Sequence, residues 1–460
     1  MRLEKLAVLF CLIGCLTSPA RICHADDSAA AGFANSQMAN WHQWRGPLSN
    51  GIAPQGDPPT TWDENTNVRW KVTPPGEGSS TPIIWDDKIF LLTAIPTDRE
   101  VELPAEPEKP VVPSVPGAPA PRRAKRPSNV HQFVVLCLDR ATGNTLWQHV
   151  ATEQVPHEGH HPDHGYASFS PTTDGQHLYV SFGSRGIFCY DLGGRQVWNR
   201  DLGDMETYAS FGEGTSPVIH NDSLIVNWDH QGESFLIVLD ARTGETRWKV
   251  DREPVTSWAT PLVVEYEGRT QLIVNGTKRV RSYDLKTGEV IWECGGQVSA
   301  AIPCPVTYDG LVYCMTGFRG SALYAIPLSA HGDITDSEHV AWHKHQGTPY
   351  VPSPLLYGDL LYFTGSNAAI LSCLDAKTGD EVFERQRLQG LKNIYASPVG
   401  AAERIYIAGR DGVVMVLKHG RQLEVLTTNT LEDGFDASPA IVGRQLFLRG
   451  KMNLYCLEAK

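Results

Sequence analysis

The sequence predicts an all-β fold, an eight-bladed β-propeller of four-stranded antiparallel blades closed by an N-terminal strand, and three features carry that expectation. A Ser/Thr/Cys-Pro step followed by an apolar run recurs eight times, at Pro82, Pro171, Pro217, Pro261, Pro305, Pro354, Pro398 and Pro439. From Pro171 onward the steps stand 46, 44, 44, 49, 44 and 41 residues apart, the period of a four-stranded blade. The 460 residues also include 42 Gly, 31 Pro and 12 Trp, a composition of frequent turns with aromatic packing between them that disfavours an all-helical chain. One large repeat domain therefore accounts for the length better than three separate domains.

Taken in chain order, Met1-Arg2-Leu3-Glu4-Lys5 precedes an apolar run from Leu6 to Leu16. A basic segment followed by an apolar one too short to span a bilayer is an export signal. Cys23-His24-Ala25 fits cleavage after Ala25, which makes residues 1–25 a signal peptide. Leu12-Ile13-Gly14-Cys15 resembles a bacterial lipoprotein box and would instead leave a lipid anchor at Cys15. Past residue 25 no apolar run reaches membrane-spanning length, so no transmembrane span is expected. Residues 26–66 then form an N-terminal extension and 67–460 the propeller. The eighth unit is about a strand short, and Val68-Arg69-Trp70-Lys71-Val72 supplies that strand with its Trp. Closure of this kind leaves no long exposed edge.

Within a unit, Pro171 to Trp198 alternates four short apolar segments with turns at Asp174-Gly175, Gly183 to Gly186 and Gly193-Gly194, as antiparallel hairpins require. Several units end in a stronger last turn: Asp139 to Gly143 leading to Trp147, Asp240 to Gly244 leading to Trp248, Asp284 to Gly288 leading to Trp292, and Asp375 to Gly379 leading to Phe383. There Asp and Thr hydrogen-bond the turn backbone, Gly takes positive φ, and the ring packs against a neighbouring blade. One insertion interrupts the first unit. Residues 96–131 hold nine prolines and the basic cluster Arg122-Arg123-Ala124-Lys125-Arg126, which predicts a disordered or polyproline loop.

Three cysteines fall in the leader and seven follow: Cys137, Cys189, Cys294, Cys304, Cys314, Cys373 and Cys456. Cys137, Cys189, Cys373 and Cys456 occupy one repeat position and read as core thiols. Cys304 and Cys314 flank the Asp309-Gly310 turn and could face each other across a hairpin. The formal net charge is −12, and no long basic run dominates, so the composition does not favour a nucleic-acid partner.

The Asp-x-x-Thr-Gly-x-x-x-Trp units resemble the pyrroloquinoline quinone (PQQ) type propeller repeat shared by quinoprotein alcohol dehydrogenases and the envelope protein BamB. The segment Trp41-His42-Gln43-Trp44-Arg45-Gly46-Pro47, with Trp70 and Ser79-Ser80-Thr81-Pro82, is similar to PQQ-like propeller proteins of planctomycete-type bacteria. The resemblance covers roughly residues 41–460. It implies the fold strongly and the function weakly, because one fold hosts many activities. In the dehydrogenases PQQ lies between a Trp and a disulfide of two adjacent cysteines, beside Ca²⁺ held by Glu, Asn and Asp. This sequence lacks the adjacent cysteines, and no catalytic residue carries over.

Two groups of candidate site residues remain. His157, His160 and His164, in the connection between the first two units, carry imidazoles suited to zinc, nickel or copper; the plainer reading is a solvated loop. Tyr166, Tyr208, Trp258, Tyr350, Tyr395 and Phe435 precede the proline steps and are expected to ring one mouth of the channel, with inter-blade packing as the plainer reading. The expected protein is an exported, monomeric, non-catalytic binding scaffold of the periplasm or outer membrane, without a cofactor and with an envelope or outer-membrane protein as partner. The alternative is a PQQ- or metal-dependent periplasmic oxidoreductase, with PQQ and Ca²⁺ as its cofactors; a third is a carbohydrate-binding propeller.

Overall fold

Every proline step opens the innermost strand of a blade, because proline has no amide to offer a ladder and is tolerated where a strand begins. The computed structural model describes residues 33, 36–104, 121–253 and 255–459, so the expected leader and Cys15 lie outside the described residues. Eight sheets follow one another around a ring. Blade 1 consists of Ile83–Trp85, Lys88–Glu100, Asn129–Asp139 and Thr145–Gln154. Blade 8 consists of Ala440–Val442, Gln445–Arg449 and Leu454–Glu458, completed by Val68–Val72. Its closing strand runs antiparallel, with Val68 opposite Leu457 and Val72 opposite Leu454. Blade 4 carries a fifth strand, Gly332–Asp333, which pairs parallel to Val290–Gly295.

Middle strands are apolar on both faces because each blade is sandwiched between two others. In Ser223–Trp228 every residue is buried. The four cysteines of the repeat position, Cys137, Cys189, Cys373 and Cys456, are fully buried in such strands. All seven cysteines are free, so Cys304 and Cys314 are not bridged: Cys314 lies opposite Tyr324 inside blade 5, while Cys304 borders the channel.

The last turn of each unit explains the repeat motif. In blade 1 the Thr142 amide and hydroxyl both donate to Asp139 Oδ1, at 2.8 and 2.6 Å. Gly143 then takes φ 76° and lies flat on the Trp70 ring, where a Cβ would come within 2.9 Å of the indole. Trp70 Nε1 donates to Arg140 O of the same turn at 3.0 Å. The tryptophan of one blade is thus clamped under the turn of the next, and the arrangement recurs as Trp147 to Leu192 O, Trp198 to Ala241 O, Trp248 to Leu285 O and Trp342 to Ala376 O.

Two expected segments look different in three dimensions. The insertion is not loop throughout: Pro96 pairs with His131 and Glu100 with Asn129, so its ends lengthen a hairpin of blade 1. Part of the basic cluster folds back, with the Ala124 amide on Ala209 O at 3.0 Å and Arg126 Nε on Pro156 O at 2.8 Å; residues 105–120 lie outside the described residues. The extension, for its part, crosses beneath the ring. Trp41 exchanges backbone hydrogen bonds with Ile84 of blade 1, the Thr173 amide of blade 2 donates to His42 O, Gly51 and Ala53 bond Gly400 of blade 7, and Asp57 bonds Gly443 of blade 8. This segment stops one end of the central channel.

Candidate functional site

Around the channel axis the residue before each proline is a hydroxyl amino acid, except Cys304. These side chains tie the blades together from inside. The Thr81 amide donates to Ser170 Oγ, Ser170 to Ser216 Oγ and Ser216 to Thr260 Oγ1. On the other side of the ring the amides of Cys304, Ser353 and Ser397 donate to Ser353, Ser397 and Ser438 Oγ in turn.

 Above this hydroxyl ring lies a cavity of about 420 Å³, within the size range of small-ligand sites. Trp44 of the extension forms part of its floor.

The mouth is built from the loops that enter the innermost strands. Trp258, Tyr350 and Tyr395 line the cavity together with Phe211, Phe318 and Arg319. Tyr350 stacks on Phe318 at 4.8 Å between centroids, Trp258 Nε1 donates to Gly212 O at 2.7 Å, and Arg319 lies 5.2 Å over the Phe318 ring. Burial raises the Tyr350 and Tyr395 phenols to about 12, so both are neutral hydroxyls at ordinary pH.

The other three aromatics expected at the mouth do not line the cavity. Phe435 is fully buried and packs on Tyr455 at 6.2 Å. Tyr166 packs between His131 and His160 and donates to Glu158 O at 3.2 Å. Tyr208 packs edge-on to Phe211 at 5.8 Å. Distance from the proline step does not decide this, since Tyr350 and Phe435 both stand four residues before their prolines and only Tyr350 lines the cavity.

The histidine connection lies across this mouth as a strap. Asp163 accepts from Arg410 of blade 7 at 2.7 Å and from the Tyr395 hydroxyl at 2.9 Å, while Arg410 Nε also donates to Asp436 at 2.6 Å. The Arg410 guanidinium sits 4.1 Å over the Tyr395 ring and holds the Asp163 carboxyl below its usual range. Sequence reasoning missed this pair, since nothing local marks two residues 247 positions apart as partners.

The strap does not bring His157, His160 and His164 together as a ligand set. His157 Nδ1 faces Asp204 at 3.0 Å. His160 Nδ1 meets His161 O at 2.8 Å and its ring packs edge-on to Tyr166. His164 lines the cavity, with its Nδ1 against the Gly165 backbone and Ser168 Oγ, and desolvation lowers it to about 4. Among the described residues no group of three or more His, Cys, Asp or Glu side chains is placed to hold a metal ion.

A family model described as outer membrane protein assembly factor BamB matches residues 131–385 and 232–460. Among solved structures, BamB from Moraxella catarrhalis is 15% identical, with 80% of this chain and 98% of that chain covered and a TM-score of 0.50. The quinohemoprotein alcohol dehydrogenase from Comamonas testosteroni is 9% identical, with 94% and 85% covered and a TM-score of 0.60. The related enzyme ADHIIG from Pseudomonas putida HK5 is 10% identical, with 94% and 81% covered and a TM-score of 0.60. At these identities the likeness is one of fold. No curated protein matches the chain.

Proposed function

From a chain that belongs to the BamB family of PQQ-like repeat propellers, we propose a non-catalytic binding scaffold of the cell envelope that engages an envelope or outer-membrane protein at the open mouth of its channel. The observation that carries this reading is the asymmetry of the channel: residues 41–57 stop one end, and Trp258, Tyr350 and Tyr395 frame the other. Aromatic side chains give large contact area at small entropic cost, and a rigid closed ring presents them pre-organised. Export is read from the leader, with residence in the periplasm or at the outer membrane; Cys15 is the candidate lipid anchor, and a monomer is the expected state. Among the described residues no helix is long and apolar enough to cross a membrane.

The donor set of the cavity supports the cofactor-free reading. Asp163 and Asp436 both line it, and both are taken up by Arg410. The cysteines are separate free thiols, not a vicinal disulfide. Ca²⁺ asks for six to eight oxygen ligands with unpaired carboxylates among them, and these walls do not fit PQQ with Ca²⁺. The oxidoreductase reading draws on the cavity volume, which suits a cofactor.

Two measurements separate them. A pull-down from envelope extract is expected to retain a partner with the wild-type chain and to lose it with Trp258→Ala or Tyr350→Ala; retention unchanged in both variants rules out the mouth as the binding surface. Calorimetric titration with PQQ and Ca²⁺ is expected to show no saturable heat, and one-to-one binding at micromolar affinity would favour the oxidoreductase.

A further inference from the structure

The ring at the floor of the channel holds more hydrogen-bond donors than the protein uses. A hydroxyl has one proton to give and lone pairs to offer. Ser170, Ser216, Thr260, Ser353, Ser397 and Ser438 each accept an amide proton across the ring. All six line the cavity and are only 1–6% exposed, yet none donates its own proton to an acceptor among the described residues. Thr81 shows the contrast: its hydroxyl donates to Ser438 O at 3.2 Å, and it does not line the cavity. Buried donors that converge on one space without acceptors are costly unless a ligand or solvent supplies them.

The charges around the cavity tell the same way. Its two carboxylates, Asp163 and Asp436, are each held by Arg410, and Lys451 Nζ lies 3.6 Å from Asp436. Arg319 also lines the cavity, over the Phe318 ring, and has no ion-pair or hydrogen-bond partner among the described residues. These five groups leave one surplus positive charge, that of Arg319. The Tyr350 hydroxyl, protonated at ordinary pH, likewise donates to no acceptor among the described residues. A neutral sugar brings donors along with its acceptors and needs free acceptors in return, which the occupied carboxylates do not supply. A carboxylate group brings acceptors alone, with the charge that Arg319 lacks.

We propose that the channel binds a carboxylate carrying an apolar group, with the carboxylate oxygens accepting from the hydroxyl ring and the apolar group lying against Trp258, Phe318 and Tyr350. Arg319 draws the anion to the mouth, and the aromatic walls give the apolar group its contact area. Because residues 41–57 stop the far end, the ligand enters and leaves by the mouth. A blind cavity of this size admits a small free acid or the C-terminal end of a polypeptide, whereas an internal loop would have to pass two strands through one opening. The inference shares the open mouth with the scaffold reading and takes nothing else from it.

The test is calorimetric titration of the folded full chain with two pairs of probes that differ only in the carboxylate: phenylacetate against phenylacetamide, and acetyl-leucyl-phenylalanine against the same peptide amidated at its C-terminus. Each acid is expected to bind one-to-one and about tenfold or more tighter than its amide. Arg319→Gln is expected to weaken the acids about tenfold and to leave the amides unchanged. Ser397→Cys, which repeats the residue the ring already holds at Cys304, replaces a hydroxyl by a weaker donor and is expected to weaken the acids about fivefold. Melting curves of both variants check that the blades remain folded. Tighter binding of the peptide acid assigns the ligand to a chain end, and tighter binding of phenylacetate to a free acid. The proposal is overturned if neither acid binds, if each binds no better than its amide, or if both variants bind the acids as the wild type does. Partner retention in the pull-down without acid binding removes the carboxylate site alone; acid binding without a retained partner removes the scaffold alone.

Discussion

Burial decides the protonation of two carboxylates, Glu158 within the strap and Glu213 beside it. Glu158 accepts from the Thr207 amide and hydroxyl, and Glu213 from the Ser184 amide and hydroxyl. Desolvation raises Glu158 to about 8, with the charge of Glu213 adding to the shift, and Glu213 itself is raised. An unfolded glutamate loses its proton near pH 4.5. Between that value and about 8 the folded chain therefore holds the extra proton, and stability falls as pH rises. The melting temperature is expected to drop from pH 5 to pH 8, and Glu158→Gln to flatten that slope; an identical slope in the variant would place the linkage elsewhere. Arg252 shows the complementary case. It is buried against Asp229 in a two-point contact at 2.6 and 3.0 Å, so Asp229→Ala strands a buried cation and is expected to cost about 3–5 kcal/mol in denaturant unfolding.

At the scale of the element, the unit of stability is the turn of one blade together with the tryptophan of the blade before it. Gly288 takes φ 76° over Trp248, 2.9 Å from the ring for an added Cβ. Gly288→Ala is expected to destabilise the protein by about 1–3 kcal/mol, from backbone strain and displacement of the indole, as chemical denaturation would show. The turn was legible in the sequence because its bonds are local: Asp240 and Thr243 lie three residues apart, as do Asp284 and Thr287. The strands were legible because sandwiched blades leave continuous apolar runs. The mouth was legible only in part. Tyr350 shares its place four residues before the proline with Phe435, yet only side-chain direction separates a wall residue from a core one, and that depends on neighbouring loops. The Trp41 to Pro47 segment was visible as a motif without its role, since its partners Ile84, Cys304, Pro354 and Pro398 are scattered over the ring.

Over the whole molecule, the ring is fastened at three levels: indoles at the outer turns, hydroxyls around the axis, and the extension beneath. Each level joins a blade to another, so none is redundant with the hydrogen bonds inside a sheet. Deleting residues 36–62 is expected to leave the blades formed while lowering the melting temperature and freeing the Ile84 and Gly400 amides, now bonded to Trp41 O and Gly51 O, to exchange with solvent. Hydrogen exchange read by mass spectrometry checks both sites, and unchanged protection there would assign the fastening to the other two levels.

The pairing of Val68–Val72 with Leu454–Glu458 also sets a timetable. Contacts between distant parts of a chain are slow to form because loop closure must come first, and a nascent chain can form only contacts whose two partners have both been made. The seam of blade 8 needs one strand from the beginning of the ring and one from its last residues. Until Glu458 has emerged from the ribosome, the ring has two raw edges and cannot close.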